Sequence, residues 1–377
     1  MSDMLKKIAS AITLILIIGS PLTNIVHAKS QVAHQVDVVI ALDVSGSMSG
    51  LIDSAKQRLW DIVNEVGRAQ PRPELRMSII SFGRPSYGAG TGYVRVDLPF
   101  TTDLDAVNQT LFAFGTAGGE EYVARAITTS VNELSWSENP DALKILFVAG
   151  NEAATQDPQI STQAATQVAI SAGIIVNTIY CGSDNDDIAA GWRDVATMTN
   201  GMYASIDQNA AAVANIASPM DDELAALNQE LNKTYLAYGT AGKQRRANQL
   251  EQDANAGAMS DSAMASRVVT KAGEMYDNSS WDLVDALEEG VSLEEIEPEK
   301  LPEEMQSMND EQRQEYVGEQ ARKREELQAR ISRLDEDRRD YSEKERALRA
   351  EDEDKGLDEV MQKGLRALAE RKGYSFD

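Results

Sequence analysis

Histidine and cysteine are almost missing from this 377-residue chain, which holds two of the first and one of the second. The histidines, His27 and His34, both fall near the start. A Ser-His-Asp or Cys-His catalytic arrangement, or a histidine-ligated zinc, has almost nothing to be built from, and hydrolytic chemistry is disfavoured. Cys181 sits in the apolar stretch IIVNTIYCG, where an intramolecular disulfide is impossible and a buried small hydrophobe is expected. Basic residues are scarce as well: 36 Lys and Arg stand against 61 Asp and Glu, a formal net charge of −25. Such a field repels phosphate backbones and anionic lipid surfaces, which argues against nucleic acid as a partner and suits cation binding. Past the first segment no apolar run reaches about 18 residues, so no stable membrane insertion of the mature chain is expected.

What is present begins with a leader. Lys6 and Lys7 precede an apolar segment over 8–22, and Val26-His27-Ala28 offers a small-residue cleavage site. Residues 1–28 therefore read as a signal peptide, and the protein as exported, periplasmic or secreted. Its removal takes away Lys6, Lys7 and Asp3 and leaves a net charge of −26.

From 36 to about 235 strand-like and helix-like segments alternate, the pattern of an α/β domain with a mostly parallel sheet. Strands are expected at 36–42, 77–82, 93–98, 145–148, 174–180 and 202–206, the third as an antiparallel edge. Helices are expected after Ser49, where Leu51, Ala55, Leu59, Ile62 and Val66 share a face, around 123–131, and at 103–113, 159–172, 187–199 and 208–232. The fold class is thus a doubly wound six-stranded sheet with helices on both faces and an α-helical C-terminal extension. That extension divides into a helical region (236–290), an acidic linker (291–304) with Pro298 and Pro302, a charged helix (305–350), and an acidic, partly disordered tail (351–377). Leu327, Ile331, Leu334, Tyr341 and Leu348 form a stripe along the charged helix, an incomplete coiled-coil heptad interrupted by Arg338 and Glu345. The stripe suits docking or oligomer formation.

The richest stretch is 37–50, DVVIALDVSGSMSG. An apolar run ends in Asp43, and Ser45 and Ser47 follow at alternate positions. One carboxylate and two hydroxyls make a hard oxygen set of the kind Mg²⁺ prefers. In a parallel sheet these residues fall beyond the strand's carboxyl end, where ligands bind.

This Asp-x-Ser-x-Ser pattern resembles that of the von Willebrand factor type A family. The resemblance implies a metal-ion-dependent adhesion site, a divalent cation (Mg²⁺ foremost, Mn²⁺ or Ca²⁺ as alternatives), and a protein partner whose carboxylate completes the coordination. It also implies a Thr ligand in a glycine-containing loop before a helix. Here the loop is GTAGGEEYVARAI, and either Thr116 or Glu120 takes that role. An Asp is implied after the fourth strand, but Gly150 stands at its register, leaving Asn151 or Glu152 to reach the ion. The segments FVAGNE, VNTIYCG, SIDQ and SWDLVDA are similar to a subgroup of exported bacterial type A proteins, a likeness that brings no reaction with it.

Asp184, Asn185, Asp186 and Asp187 form an oxygen-rich loop, read as a helix cap because a distal Glu at calcium-loop spacing is missing. Trp136, Trp192 and Trp281 are expected to pack. Two functions remain. One is a non-enzymatic binding protein working through the cation. The other is a metal-independent scaffold, its Ser-containing turn merely capping a helix and its C-terminal helices mediating assembly.

Overall fold

Alternate residues of the first strand, β1 (Gln35–Asp43), feed two separate cores: Val36, Val38, Ile40 and Leu42 join one, Val39 and Ala41 the other. A strand buried on both faces needs helices on both sides of its sheet. The computed structural model supplies them, and describes residues 34–206, 216–349 and 357–376. The expected leader, residues 208–215 of one expected helix, and the acidic run at 350–356 lie outside those residues.

After β1 come α1 (Ser49–Gly67), β2 (Ala69–Gln70), β3 (Glu74–Phe82), β4 (Val94–Thr101), α2 (Leu104–Phe112) and α3 (Val123–Glu133). Then follow β5 (Leu143–Gly150), α4 (Thr162–Ser171), β6 (Ile175–Tyr180), α5 (Ala189–Met198) and β7 (Tyr203–Ser205). The main sheet runs β4-β3-β1-β5-β6-β7. All its pairings are parallel except β3 with β4, the antiparallel edge that the alternation of Val94 and Val96 suggests. One core lies beneath α1 and α2, around Leu51, Leu59, Trp60, Val107 and Leu111. The other lies beneath α3, α4 and α5, around Val123, Ile127, Ala165 and Trp192.

From residue 221 on the helices do not form a body of their own; every described residue belongs to one compact unit. They are α6 (Asp221–Asn232), α7 (Gly239–Met259), α8 (Asp261–Ala272), α9 (Leu283–Glu288), α10 (Asp310–Arg349) and α11 (Leu357–Arg371). The α8 helix packs on α1 and α6, and α7 on α2. Buried charges join them. Asp253 of α7 lies 3.1 Å from Arg267 Nε and 2.7 Å from Lys271 Nζ, both on α8, and Arg267 pairs with Asp105 of α2 at 2.6 Å. Isolated charges would not survive such burial; grouped with partners they do.

One expectation is corrected. The segment 291–304 is no linker: Leu293 and Leu301 are buried in a third cluster with Leu236, Leu283, Met305 and Val317. The charged helix docks on its own chain, against α6, α8 and α9, but over only part of its stripe: Ile331 is buried while Leu348 is 80% exposed. A buried arginine fastens it, Arg324 donating to Asp282 Oδ2 at 2.7 Å and to the Thr234 carbonyl at 2.7 Å. Finally, the described part of the tail is ordered. The α11 helix lies on α1 and buries Met361, Leu365 and Leu368. Beyond it β8 (Ser375–Phe376) pairs antiparallel with β2, and Tyr374 meets His34 edge to face with ring centroids 5.5 Å apart.

Candidate metal centre

β1 ends in Asp43, and the chain turns through Ser45, Gly46 and Ser47 before α1. The Asp43 side chain is fully buried, Ser45 is buried, and Ser47 is exposed. Asp43 Oδ1 accepts the Ser45 N–H at 2.7 Å, and the two serine hydroxyls lie 3.2 Å apart. Asn151, just past β5, donates its Nδ2 to Ser47 Oγ at 3.0 Å. Met48 occupies the N-cap of α1 and no side chain caps that helix, so neither serine serves as a cap.

Two more elements close around Asp43. Gly83 follows β3 at φ +86°, and a Cβ there would strike Asp43 Oδ1 at 2.7 Å and Glu121 Cγ at 3.1 Å. Only glycine takes this backbone conformation without strain while leaving the carboxylate its space. Glu121, in the loop before α3, is buried against Asp43 and Ser45.

Asp43 Oδ2 and Glu121 Oε2 are both buried and accept no hydrogen bond from an N–H or hydroxyl. Burial first, and then the charge of Asp43, pushes the Glu121 carboxyl up to about 8. Burial raises Asp43 too, against opposing hydrogen bonds from Glu121 and Ser45. Burial and mutual repulsion thus drive the pair toward holding a proton, and Glu152 adds repulsion to both members. A divalent cation would take over that proton's role. Asp43, Ser45, Ser47 and Glu121 offer only oxygen donors, and the Asn151 Oδ1 is likewise buried and unpartnered. This chemistry fits a hard divalent cation. Among the described residues no group of three or more His, Cys, Asp or Glu is placed to hold a metal, so hydroxyl and amide oxygens must complete the donor set.

The strand order, the turn after β1 and the matched sequence agree on the family, whose model, the von Willebrand factor type A domain, matches residues 37–219. Residues 37–219 are a von Willebrand factor type A domain.

Solved structures similar to this type A domain include proximal thread matrix protein 1 from the mussel byssus, at 11% identity and a TM-score of 0.36, covering 46% of this chain and 42% of that one. A form of the same protein with a zinc-occupied MIDAS motif, the adhesion-site motif, matches at 11% identity and a TM-score of 0.37, with the same coverage. The pilus adhesin SpaC from Lactobacillus rhamnosus GG matches at 14% identity and a TM-score of 0.37, over 47% of this chain and 28% of that one. The chain thus spans less than half the length of each. Curated proteins include no match to it.

The remaining expected site residues of the type A domain fall as follows. Thr116 is exposed in a loop held beside the turn by the Ala117 N–H, which donates to the Val44 carbonyl at 3.0 Å. Glu120 is also exposed, and the acidic residue brought to Asp43 is its neighbour Glu121. Glu152 is exposed, its carboxylate accepting from Gln156 Nε2 at 3.0 Å and its carbonyl from the Trp192 indole at 2.8 Å. The Asp184–Asp187 loop is engaged locally: Asp186 accepts from Tyr180 Oη at 2.8 Å, and Asp184 pairs with Arg193 at 2.8 Å. Cys181 is buried, as are Trp192 and Trp281. Glu121 is the residue sequence reasoning missed; its one signal was being the second of two adjacent glutamates in a loop that faces the site.

Proposed function

We propose that this chain is an exported, non-enzymatic binding protein. Its type A domain holds a divalent cation, Mg²⁺ foremost and Mn²⁺ or Ca²⁺ as alternatives, on Asp43, Ser45, Ser47 and Glu121. Asn151 stands beside them, and a carboxylate from a protein partner completes the coordination. The observation that carries this reading is the pair of buried carboxylates, Asp43 and Glu121, set against each other with Oδ2 and Oε2 lacking any N–H or hydroxyl donor, next to two hydroxyls that no helix end engages. Scarce histidine supports binding over hydrolysis. For export the support is the leader-like start of the sequence, together with the finding that no helix among the described residues is long and apolar enough to cross a membrane.

The test is thermal unfolding with and without Mg²⁺, Mn²⁺ or Ca²⁺, beside Asp43→Ala. A ligand at 100 times its dissociation constant stabilises by about 2.7 kcal/mol, a rise of several degrees in Tm. The rise should vanish in Asp43→Ala. No rise with any of the three ions would overturn the proposal.

A further inference from the structure

Between α2 and α3 the chain passes the cation centre as Gly115-Thr116-Ala117-Gly118-Gly119, with no side chain larger than threonine. This bridge lies outside any helix or strand. It brings Thr116 beside the turn after β1 and leads to Glu121, which meets Asp43. Glycine loses more backbone freedom on ordering than any other residue, so such a stretch stays in place only where its neighbours hold it. It has almost no side chains of its own with which to do so.

The holding comes from other elements. In the middle of the bridge the Ala117 N–H donates to the Val44 carbonyl at 3.0 Å. At its end the backbones touch: a Cβ at Gly119 would lie 2.5 Å from the Gly83 carbonyl oxygen and 2.8 Å from Pro85 Cδ. At its start the anchors are side chains. Arg84 donates its Nη2 to the Gly115 carbonyl at 2.6 Å, and Lys56 of α1 reaches the Phe114 carbonyl at a longer 3.3 Å.

Arg84 is placed at some cost. Its Nε is buried without an acceptor, and among the described residues no carboxylate pairs with it. An N–H left unsatisfied in this way disfavours the fold, and no ion pair offsets it. What the guanidinium does is hold the carbonyl where the bridge begins. The short segment 83–85 therefore meets the centre at several points. Gly83 leaves room for Asp43 and Glu121, Pro85 lies against Gly119, and Arg84 grips Gly115.

We infer that Arg84 is a positioning residue for the cation centre. By holding the Gly115 carbonyl it fixes the path of the bridge, and with it the places of Thr116 and Glu121 around a divalent ion. The inference rests on the cation reading proposed above and adds to it a residue that touches no ion. Groups that orient the ligands of a metal typically change its affinity by about 10–100-fold when lost.

The test is titration calorimetry of the full chain with Mn²⁺ alone, on the parent, Arg84→Met, Arg84→Lys and Lys56→Met, beside amide hydrogen exchange in cation-free buffer. Arg84→Met keeps an apolar stem and loses the donor, whereas Arg84→Lys keeps both donor and charge. Mn²⁺ binding should weaken at least tenfold in Arg84→Met and return to within about threefold of the parent in Arg84→Lys. Lys56→Met, losing the longer contact, should weaken it by about threefold or less. Exchange at the Ala117 N–H should quicken in Arg84→Met while β1 and α1 exchange as in the parent, which separates lost positioning from lost fold. Affinity in Arg84→Met equal to that of a binding parent would overturn the inference alone, as would faster exchange throughout β1 and α1. A parent that binds no Mn²⁺ would overturn the cation reading, and this inference with it.

Discussion

Gly150 leaves room for Asp43: a Cβ at that glycine would lie 3.3 Å from Asp43 Oδ2 and 3.1 Å from the Trp192 ring. Trp192 is fully buried and tied by its indole N–H to the Glu152 carbonyl, so it has little freedom to retreat. At the position where the resemblance implies an Asp, a side chain would crowd Asp43 and Trp192 and force them apart by a few tenths of an ångström, while a second carboxylate reaches Asp43 from the loop before α3 as Glu121. Gly150→Ala should lower stability by about 1–3 kcal/mol through overpacking. Urea unfolding measures this, and a variant as stable as the parent would show that the contact yields freely.

Glu121 makes stability depend on pH. Its carboxyl is raised from 4.5 to about 8 in the fold. A carboxyl raised in this way favours the folded state fully below its ordinary value, and that contribution is lost as pH climbs through about 8. In cation-free buffer Tm should fall between about pH 5 and 8, and Glu121→Gln should flatten the decline. Superimposable Tm profiles for variant and parent would place the pH dependence elsewhere.

The buried charges of the helical extension hold each other. Asp253→Ala leaves Arg267 and Lys271 buried with less opposing charge. Removing one partner from a buried ion pair costs about 3–5 kcal/mol. Chemical denaturation should show a loss of that order; a loss under about 1 kcal/mol would mean that Asp105 and the neighbouring amides suffice.

Gly364 sits inside α11, where a Cβ would meet Asn177 Nδ2 at 3.5 Å, Phe147 at 3.6 Å and Met202 Sδ at 3.7 Å, all ordinary contacts. Glycine inside a helix is less favourable than alanine by roughly 0.5–1 kcal/mol. Gly364→Ala should therefore stabilise the chain by about that amount, read as a higher urea midpoint with an unchanged slope.

The centre of the sheet was legible because β1 and β5 are buried on both faces and carry unbroken apolar runs at 38–42 and 145–149. Asp43, Ser45 and Ser47 were legible because their spacing is local. Glu121 was not, since whether the first or the second of two adjacent glutamates turns inward depends on how residues 115–122 wind past Gly83. In the tail, the acidic residues at 351–354 masked a helical stripe, Met361, Leu365, Leu368 and Ala369, spaced four, three and one apart. The segment at 291–304 hid its burial similarly, because Leu293 and Leu301 are isolated among glutamates and prolines. Arg267 and Lys271 carry no sequence signal at all; their burial exists only because Asp253 and Asp105 come from other helices.

The contact of His34 with Tyr374, and of β2 with β8, brings the first and last described residues to the same pole of the sheet. β1 then runs about 26 Å, at 3.3 Å per residue, before it reaches Asp43. A tag joined just before His34 or just after Phe376 would sit at the pole opposite the Asp43 end of β1, where the proposed cation site lies. Surface capture through one of these two positions and then the other should thus give the same affinity for a proposed partner.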